Sequence, residues 1–298
     1  MSKLDIEISG LRKSYGGVHA LDGLSMSVPS GAIAGFVGLN GAGKTTTLRL
    51  LLQMARPDAG TASLLGLNAL HAGESLQIRA RTAFVPEKKD FFPYMNVGEV
   101  IDFTKGLYPK WRADLETRYL TEFGLKRPQA VTQLSKGALA KLHLLMAFSR
   151  GAELILLDEP TDGLDPLGVD IFMQALVGLV AESGATVLFS SHRLNEMEQV
   201  ADHICMIHQG RSLMNGGLDD LKASCRRVVL LFQNDAALVA GEFKAFGTVK
   251  PDGRTLTVFA NGTAEAVVKK GGALGAKSVD VQPVSLREMF LELVQRNV

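Results

Sequence analysis

Apolar and polar positions alternate along the N-terminal stretch. Leu4-Asp5-Ile6-Glu7-Ile8 and Leu24 to Val28 each repeat with period two, with turn residues at Gly16-Gly17 between them and Pro29-Ser30-Gly31 after them. A period of two turns one strand face to a core and the other to water, so the pattern predicts a short antiparallel β layer. From Ala32 onward the pattern changes. Ala32 to Val37, Thr82 to Val85, Leu154 to Leu157 and Thr186 to Phe189 are largely unbroken apolar runs. Runs of this kind belong to strands covered on both faces, as in a parallel sheet flanked by helices.

Between the second and third of these runs, Val97 to Arg127 reads as two or three helices with a break at Tyr108-Pro109. An inserted helical subdomain over about 88–150 is expected. Pro166 directly behind Asp165 marks a helix start, with the aspartate as N-cap and the helix running to about Glu182. Near Leu221 the character changes again: Val228 to Phe232, Thr255 to Phe259 and Ser278 to Val281 read as strands, Ala264 to Lys270 and Leu286 to Gln295 as helices. The expected division is therefore 1–224 and 225–298, the second a small α+β appendage without a catalytic pattern.

At 298 residues and 46% hydrophobic, the chain has material for a large core. Its 32 Lys+Arg against 31 Asp+Glu leave a net charge of +1, so no global field draws in nucleic acid or an anionic membrane. Cys205 and Cys225 have neither metal-ligand nor disulfide-framework spacing, which suits a reducing compartment. Lys3, Asp5 and Glu7 interrupt the first ten residues, against a signal peptide. Ile171 to Ala181, with Gln174 inside it, has the length of a core helix rather than a membrane span.

The densest chemistry lies in Gly38-Leu39-Asn40-Gly41-Ala42-Gly43-Lys44-Thr45-Thr46, between a predicted strand and a predicted helix. Glycines let the chain turn so that several backbone N–H groups converge, and the helix start adds its positive end. The ligand this suits is a phosphate chain. Gly38, Asn40, Gly41, Ala42, Gly43 and Thr46 would surround it, Lys44 would reach its β- and γ-phosphates, and Thr45 would offer a hydroxyl to Mg2+. The run Leu154 to Leu157 ends in Asp158-Glu159, two carboxylates at the end of a parallel strand, where α/β sheets bind ligands. Asp158 would hold Mg2+ through its water shell, while Glu159 would orient or deprotonate the attacking water. Ser190-Ser191-His192 closes the next strand at the same edge, where His192 can donate to a γ-phosphate.

These residues in this order, with Leu134-Ser135-Lys136-Gly137-Ala138 just ahead of the Asp158 strand, resemble the ATP-binding cassette (ABC) family of transporter subunits over about Leu4 to Leu221. The resemblance implies a P-loop NTPase core, ATP and Mg2+ as cofactors, and ATP hydrolysis by a 1–224 nucleotide-binding domain followed by a 225–298 accessory domain. It also implies that Tyr15 stacks on adenine, that Asp165 belongs to a dimer-contact loop, that Ser135 and Gly137 belong to the family's signature turn, and that Glu87 stands where the family has a metal-ligating glutamine. Two departures are plain: Lys136 replaces the first signature glycine, either crowding the turn or lending it charge, and Glu87 adds negative charge beside phosphates.

Ser135 should cap a helix running toward Arg150. At about 14 residues that helix is about 21 Å long and holds Ser135 away from Asp158. By the resemblance, a second cassette in a homodimer or heterodimer would then supply the serine, and ATP would close the pair. The resemblance places a membrane partner near Phe91, Phe92 and Tyr94, while the adjacent Lys88-Lys89 is too short a basic run for nucleic acid. The tail and Lys105 to Trp111 resemble bacterial exporter cassettes whose permease is a separate transmembrane subunit, which implies a cytoplasmic protein peripheral on the inner face of the membrane. The alternative is a soluble ATPase of the same fold acting on nucleic acid or ribosomes; the net charge and the single cassette weigh against it. His203, Cys205 and His208 lie close together in sequence, but strand alternation puts His203 and Cys205 on one face and His208 on the other, which suits structural roles rather than a metal site.

Overall fold

The computed structural model describes residues 3–88 and 90–296. It divides the chain into two compact units, Met1–Asn215 and Gly216–Val298. The boundary expected at 224/225 falls inside the second unit, because the helix at Leu218–Ser224 packs with the strand that follows it.

In the first unit the alternating stretches become two twelve-residue strands, β1 (Leu4–Tyr15) and β2 (Val18–Pro29), paired antiparallel from Leu4 and Pro29 to Tyr15 and Val18. Ile6, Ile8, Leu11, Leu24, Met26 and Val28 fill one core from this layer. β3 (Ile33–Val37) is buried at every position and leads through the glycine loop into α1 (Lys44–Leu51). β4 (Ala59–Leu64) and β5 (Leu67–Asn68) extend the first layer in the order β2-β1-β4-β5. Three exposed residues open β4, so it carries no clear alternation and the sequence pattern passes over it.

α2 (Ser75–Arg81) runs into β6 (Thr82–Val85). Then come α3 (Val97–Lys105), started by an Asn96–Glu99 capping box, and α4 (Ala113–Glu122), with Tyr108-Pro109 in the break between them. α5 (Lys136–Ser149) starts at Ser135, whose Oγ accepts from Ala138 N at 3.2 Å. β7 (Leu154–Asp158), α6 (Pro166–Ser183), β8 (Thr186–Ser191), α7 (Leu194–Val200), β9 (His203–His208) and β10 (Arg211–Gly217) follow. The second sheet has the order β10-β9-β3-β8-β7-β6, with β9, β3, β8, β7 and β6 parallel. The ends of β3, β7 and β8 thus open on one edge, and the three segments singled out for chemistry leave the sheet there.

Asp165 Oδ1 accepts from Gly168 N at 2.8 Å and caps α6 as expected. Among the described residues α6 is the one helix long and apolar enough to cross a bilayer by length and composition. Its Phe172, Met173, Leu176 and Leu179 are buried, and Phe172 stacks against Phe148 of α5. His203 and Cys205 are buried on β9, and the Asn215 amide hydrogen-bonds His203 Nε2 at 3.1 Å. Burial pushes the Cys205 thiol far up, so it behaves as a small core residue.

The second unit contains α8 (Leu218–Ser224), β11 (Cys225–Leu231), β12 (Gly247–Asp252), β13 (Thr255–Asn261), α9 (Ala264–Ala273), β14 (Ser278–Pro283) and α10 (Leu286–Arg296). Its four strands lie antiparallel in the order β12-β13-β11-β14. Counted from β11, that order is 2-3-1-4, with helical turns after the first strand and α9 after the third: a ferredoxin-like split βαβ arrangement. Val228, Leu230, Leu256, Val258 and Val267 form a core on the α9 face. β12 is an edge strand with a proline and three exposed residues, which hides it from an apolar count.

Candidate functional site

The chain leaves β3 at Val37 and turns into α1 with Gly43 as N-cap at φ 112°. A Cβ at Gly43 would lie 2.6 Å from the Ala20 carbonyl oxygen, so only glycine closes this turn. No side chain caps α1, and the amides of its first turn remain free to meet an anion. A cavity of about 350 Å3 opens here, lined by Ala20, Leu39, Asn40, Gly41, Ala42, Gly43, Lys44, Thr45, Thr46, Glu87 and Glu159. Gly38 does not line it. Its carbonyl accepts from Lys44 Nζ at 2.7 Å instead and steers the ammonium across the loop.

The opposite wall is the end of β7. Glu159 sits in the left-handed region at φ 46°, and its N–H donates to Ser190 Oγ at 3.0 Å. Ser190 Oγ in turn donates to Asp158 Oδ1 at 2.7 Å. Thus fixed, the Glu159 carboxylate places Oε1 3.2 Å from Lys44 Nζ and Oε2 3.0 Å from His192 Nδ1. Asp158 is buried behind this layer, outside the cavity lining. Thr45 and Glu87 offer oxygens suited to a hard cation such as Mg2+, with Asp158 set back for contact through water.

Two roles in this wall escape the sequence reading, which notes Ser190 only as part of Ser190-Ser191-His192 and passes over Asp162. Ser190 faces Asp158 because β7 and β8 pair in that register, which no local pattern reveals. Asp162 comes round in the turn after Glu159, and the ligand atoms of Glu159, Asp162 and His192 lie within 4.8 Å of one another. A carboxylate three residues beyond Glu159 is the one signal that could have drawn attention to it.

Three expected residues lie elsewhere. Tyr15 is 49% exposed at the tip of the β1–β2 hairpin, with Lys13 Nζ 5.1 Å from its ring, and does not line the cavity. Ser135 and Gly137 line a second cavity of about 450 Å3, together with Lys136, Lys141, Gly163, Leu164 and Asp165. A Cβ at Gly137 would stand 2.9 Å from the Gly163 carbonyl oxygen, so the serine turn and the Asp165 loop pack backbone to backbone. The two cavities share no lining residue. Lys136 is exposed beside this contact, so its side chain does not crowd the turn within the chain.

The family described as ABC transporter matches residues 21–162. The chain is 32% identical over 312 residues to the Nod factor export ATP-binding protein I of Burkholderia orbicola, an alignment covering 100% of this chain and 99% of that one. It belongs to the ABC transporter family. The cassette is also 32% identical over 239 residues to the bacitracin transport ATP-binding protein BcrA of Bacillus licheniformis, with 78% of each chain covered. Among solved structures, a dimeric ATP-binding cassette in a post-hydrolysis state with ADP and Pi aligns with a TM-score of 0.64 at 21% identity, over 72% of this chain and 98% of that one. The matched part of this ABC cassette therefore has the P-loop NTPase fold, and the protein is an ATP-binding ATPase.

Proposed function

We propose that this cassette is the ATPase subunit of a membrane exporter, working as one of two cassettes that close on ATP and bound to a separate transmembrane permease. The observation that carries the dimer is the separation of two half-sites in one chain: the glycine loop in one cavity, the serine turn in another. Paired head to tail, each glycine loop would meet the partner's serine turn, with Lys136 and Lys141 adding positive charge there. The export reading rests on the names of the relatives, and these lend nothing to the nucleic-acid or ribosome alternative.

Within one site, the loop amides and Lys44 hold the β- and γ-phosphates, and Tyr15 is exposed and available to stack on the base. Glu159 takes a proton from the attacking water, and His192 holds the Glu159 carboxylate from its far side. Mg2+, when bound, neutralises charge on the phosphates; Thr45, Glu87 and Asp158 are the residues that would keep it.

The membrane side is assigned to the loop before α3. Phe92 and Tyr94 are 55% and 76% exposed and stack on each other at 5.6 Å. Phe91 turns inward and stacks on His143 of α5 at 4.1 Å. A permease segment pressing on Phe92 and Tyr94 would therefore act through Phe91 on the helix that begins at Ser135. Lys89 of the same loop lies outside the described residues. The reading places the protein in the cytoplasm, peripheral on the inner face of the membrane.

The deciding experiment is size-exclusion chromatography with light scattering on Glu159→Gln with ATP and Mg2+. A dimer that dissolves when ATP is withdrawn supports the reading, and a monomer under both conditions refutes it. Copurification with a neighbour of about six spans, lost in Phe92→Ser with Tyr94→Ser while ATP binding survives, tests the membrane assignment.

A further inference from the structure

The second unit contains a cavity that the ATPase reading leaves without a use. The sheet face turned away from α9 carries Arg227, Phe259 and Thr248 on one rung, and Val229, Thr257 and Lys250 on the next. α10 crosses this face with Glu288, Leu291, Glu292 and Gln295 directed at it, a spacing that sets all four on one helix stripe. Between helix and sheet lies a cavity of about 190 Å3.

Its polar groups are paired in part only. Arg227 Nη2 lies 3.1 Å from Glu288 Oε1, and Lys250 Nζ pairs with Glu292 Oε1. Arg227 Nε and Glu292 Oε2 are both shielded from solvent, and neither has a hydrogen-bond partner. One is a donor on a cation and the other an acceptor on an anion. Leaving such atoms unmatched is costly, and native structures rarely do it without a ligand or water to satisfy them. The rest of the lining combines an apolar patch of Phe259, Val284 and Leu291 with the polar side chains of Thr248, Thr257 and Gln295.

We propose that this cavity binds a free apolar α-amino acid. Its carboxylate accepts from Arg227 Nε, with Lys250 close behind, and its ammonium donates to Glu292 Oε2. Its side chain lies on Phe259, Val284 and Leu291. The two cations and two anions of the wall balance, which disfavours a net-charged ligand and suits a zwitterion. The volume equals that of about six waters, the scale of a mid-sized amino acid. The site makes the appendage a sensor of amino-acid supply or of a product bearing that group.

The test uses the full-length protein and isothermal titration with L-valine, L-leucine, L-methionine and L-phenylalanine. At least one should bind saturably at one per chain. Removing its amine (4-methylpentanoate for leucine) or its carboxylate (3-methylbutylamine) should each weaken binding about ten-fold or more, the scale of a hydrogen bond to a charged group. Arg227→Met and Glu292→Gln should do the same, and Leu291→Trp, at an exposed position that admits the ring, should abolish binding. Circular dichroism and ATP affinity, read at the glycine loop of the first unit, confirm that the variants fold. No saturable binding by any of the four amino acids overturns the proposal. So does equal binding of the truncated analogues, or unchanged binding in folded variants, since water alone would then fill the cavity. Because ATP affinity is read separately, failure here leaves the ATPase reading standing, and the reverse also holds.

Discussion

Lys44 Nζ stands 3.2 Å from Glu159 Oε1, so the cation of the glycine loop and the carboxylate at the end of β7 form one buried ion pair. His192 Nδ1, 3.0 Å from Glu159 Oε2, extends it. The pair holds both groups at the wall of one cavity, yet their proposed tasks differ, and substitution should separate them. Lys44→Ala removes the charge that meets the phosphates and should weaken ATP binding about ten-fold or more. Glu159→Gln keeps shape and removes the base, so ATP should still bind while single-turnover cleavage falls about 100-fold or more. Equilibrium binding and rapid-quench assays on both variants check this, and identical behaviour would refute the division of roles.

Ser190 makes a second prediction. Its hydroxyl donates to Asp158 Oδ1 and accepts from the Glu159 amide, holding Glu159 in a backbone region that non-glycine residues rarely adopt. Ser190→Ala strands a buried carboxylate oxygen and frees that backbone. Stability should fall by about 1–3 kcal/mol in urea melts. The turnover number should fall as well, with ATP affinity little changed, because Ser190 positions the base without lining the cavity.

Ser190 also marks where the sequence stops being legible. The glycine loop, the Asp158-Glu159 pair and the buried strands can be read locally, because each is a run of adjacent residues whose chemistry depends on its immediate neighbours. Ser190 opposite Asp158, and the Gly137 turn against Gly163, depend on register and packing between segments far apart in the chain. β4 and β12 escaped notice for a related reason: each is a largely exposed strand, so neither leaves an apolar pattern. The cavity beneath α10 is of the same kind, since Arg227 and Glu292 belong to elements brought together only by the fold.

Gly137 supplies a test of the two-cassette arrangement. An added methyl would sit 2.9 Å from the Gly163 carbonyl oxygen and must push the serine turn away from the Asp165 loop. Neither element lines the glycine-loop cavity. Gly137→Ala should therefore leave ATP affinity of the isolated monomer within about two-fold, while ATP-dependent dimerisation of the Glu159→Gln background drops about ten-fold. A parallel loss of monomer affinity would mean that the serine turn serves its own nucleotide.

The last prediction concerns the helices that carry Ser135. Tyr119 of α4 is fully buried, with its hydroxyl 3.4 Å from the Ala175 carbonyl of α6 and its ring edge-on to Phe148 of α5. Burial pushes its phenol up to about 12. In the unfolded chain the same group ionises near its ordinary value of about 10. With the folded value above the unfolded one, the preference for the neutral phenol is fully present below about pH 10 and is lost as pH climbs from there through about 12. Over that window the stability difference between wild type and Tyr119→Phe should shift by about 2 kcal/mol against the wild type. Urea melts of both proteins at pH 8, 10 and 11.5 measure it, and parallel pH profiles would show that the phenol titrates as freely in the fold as out of it.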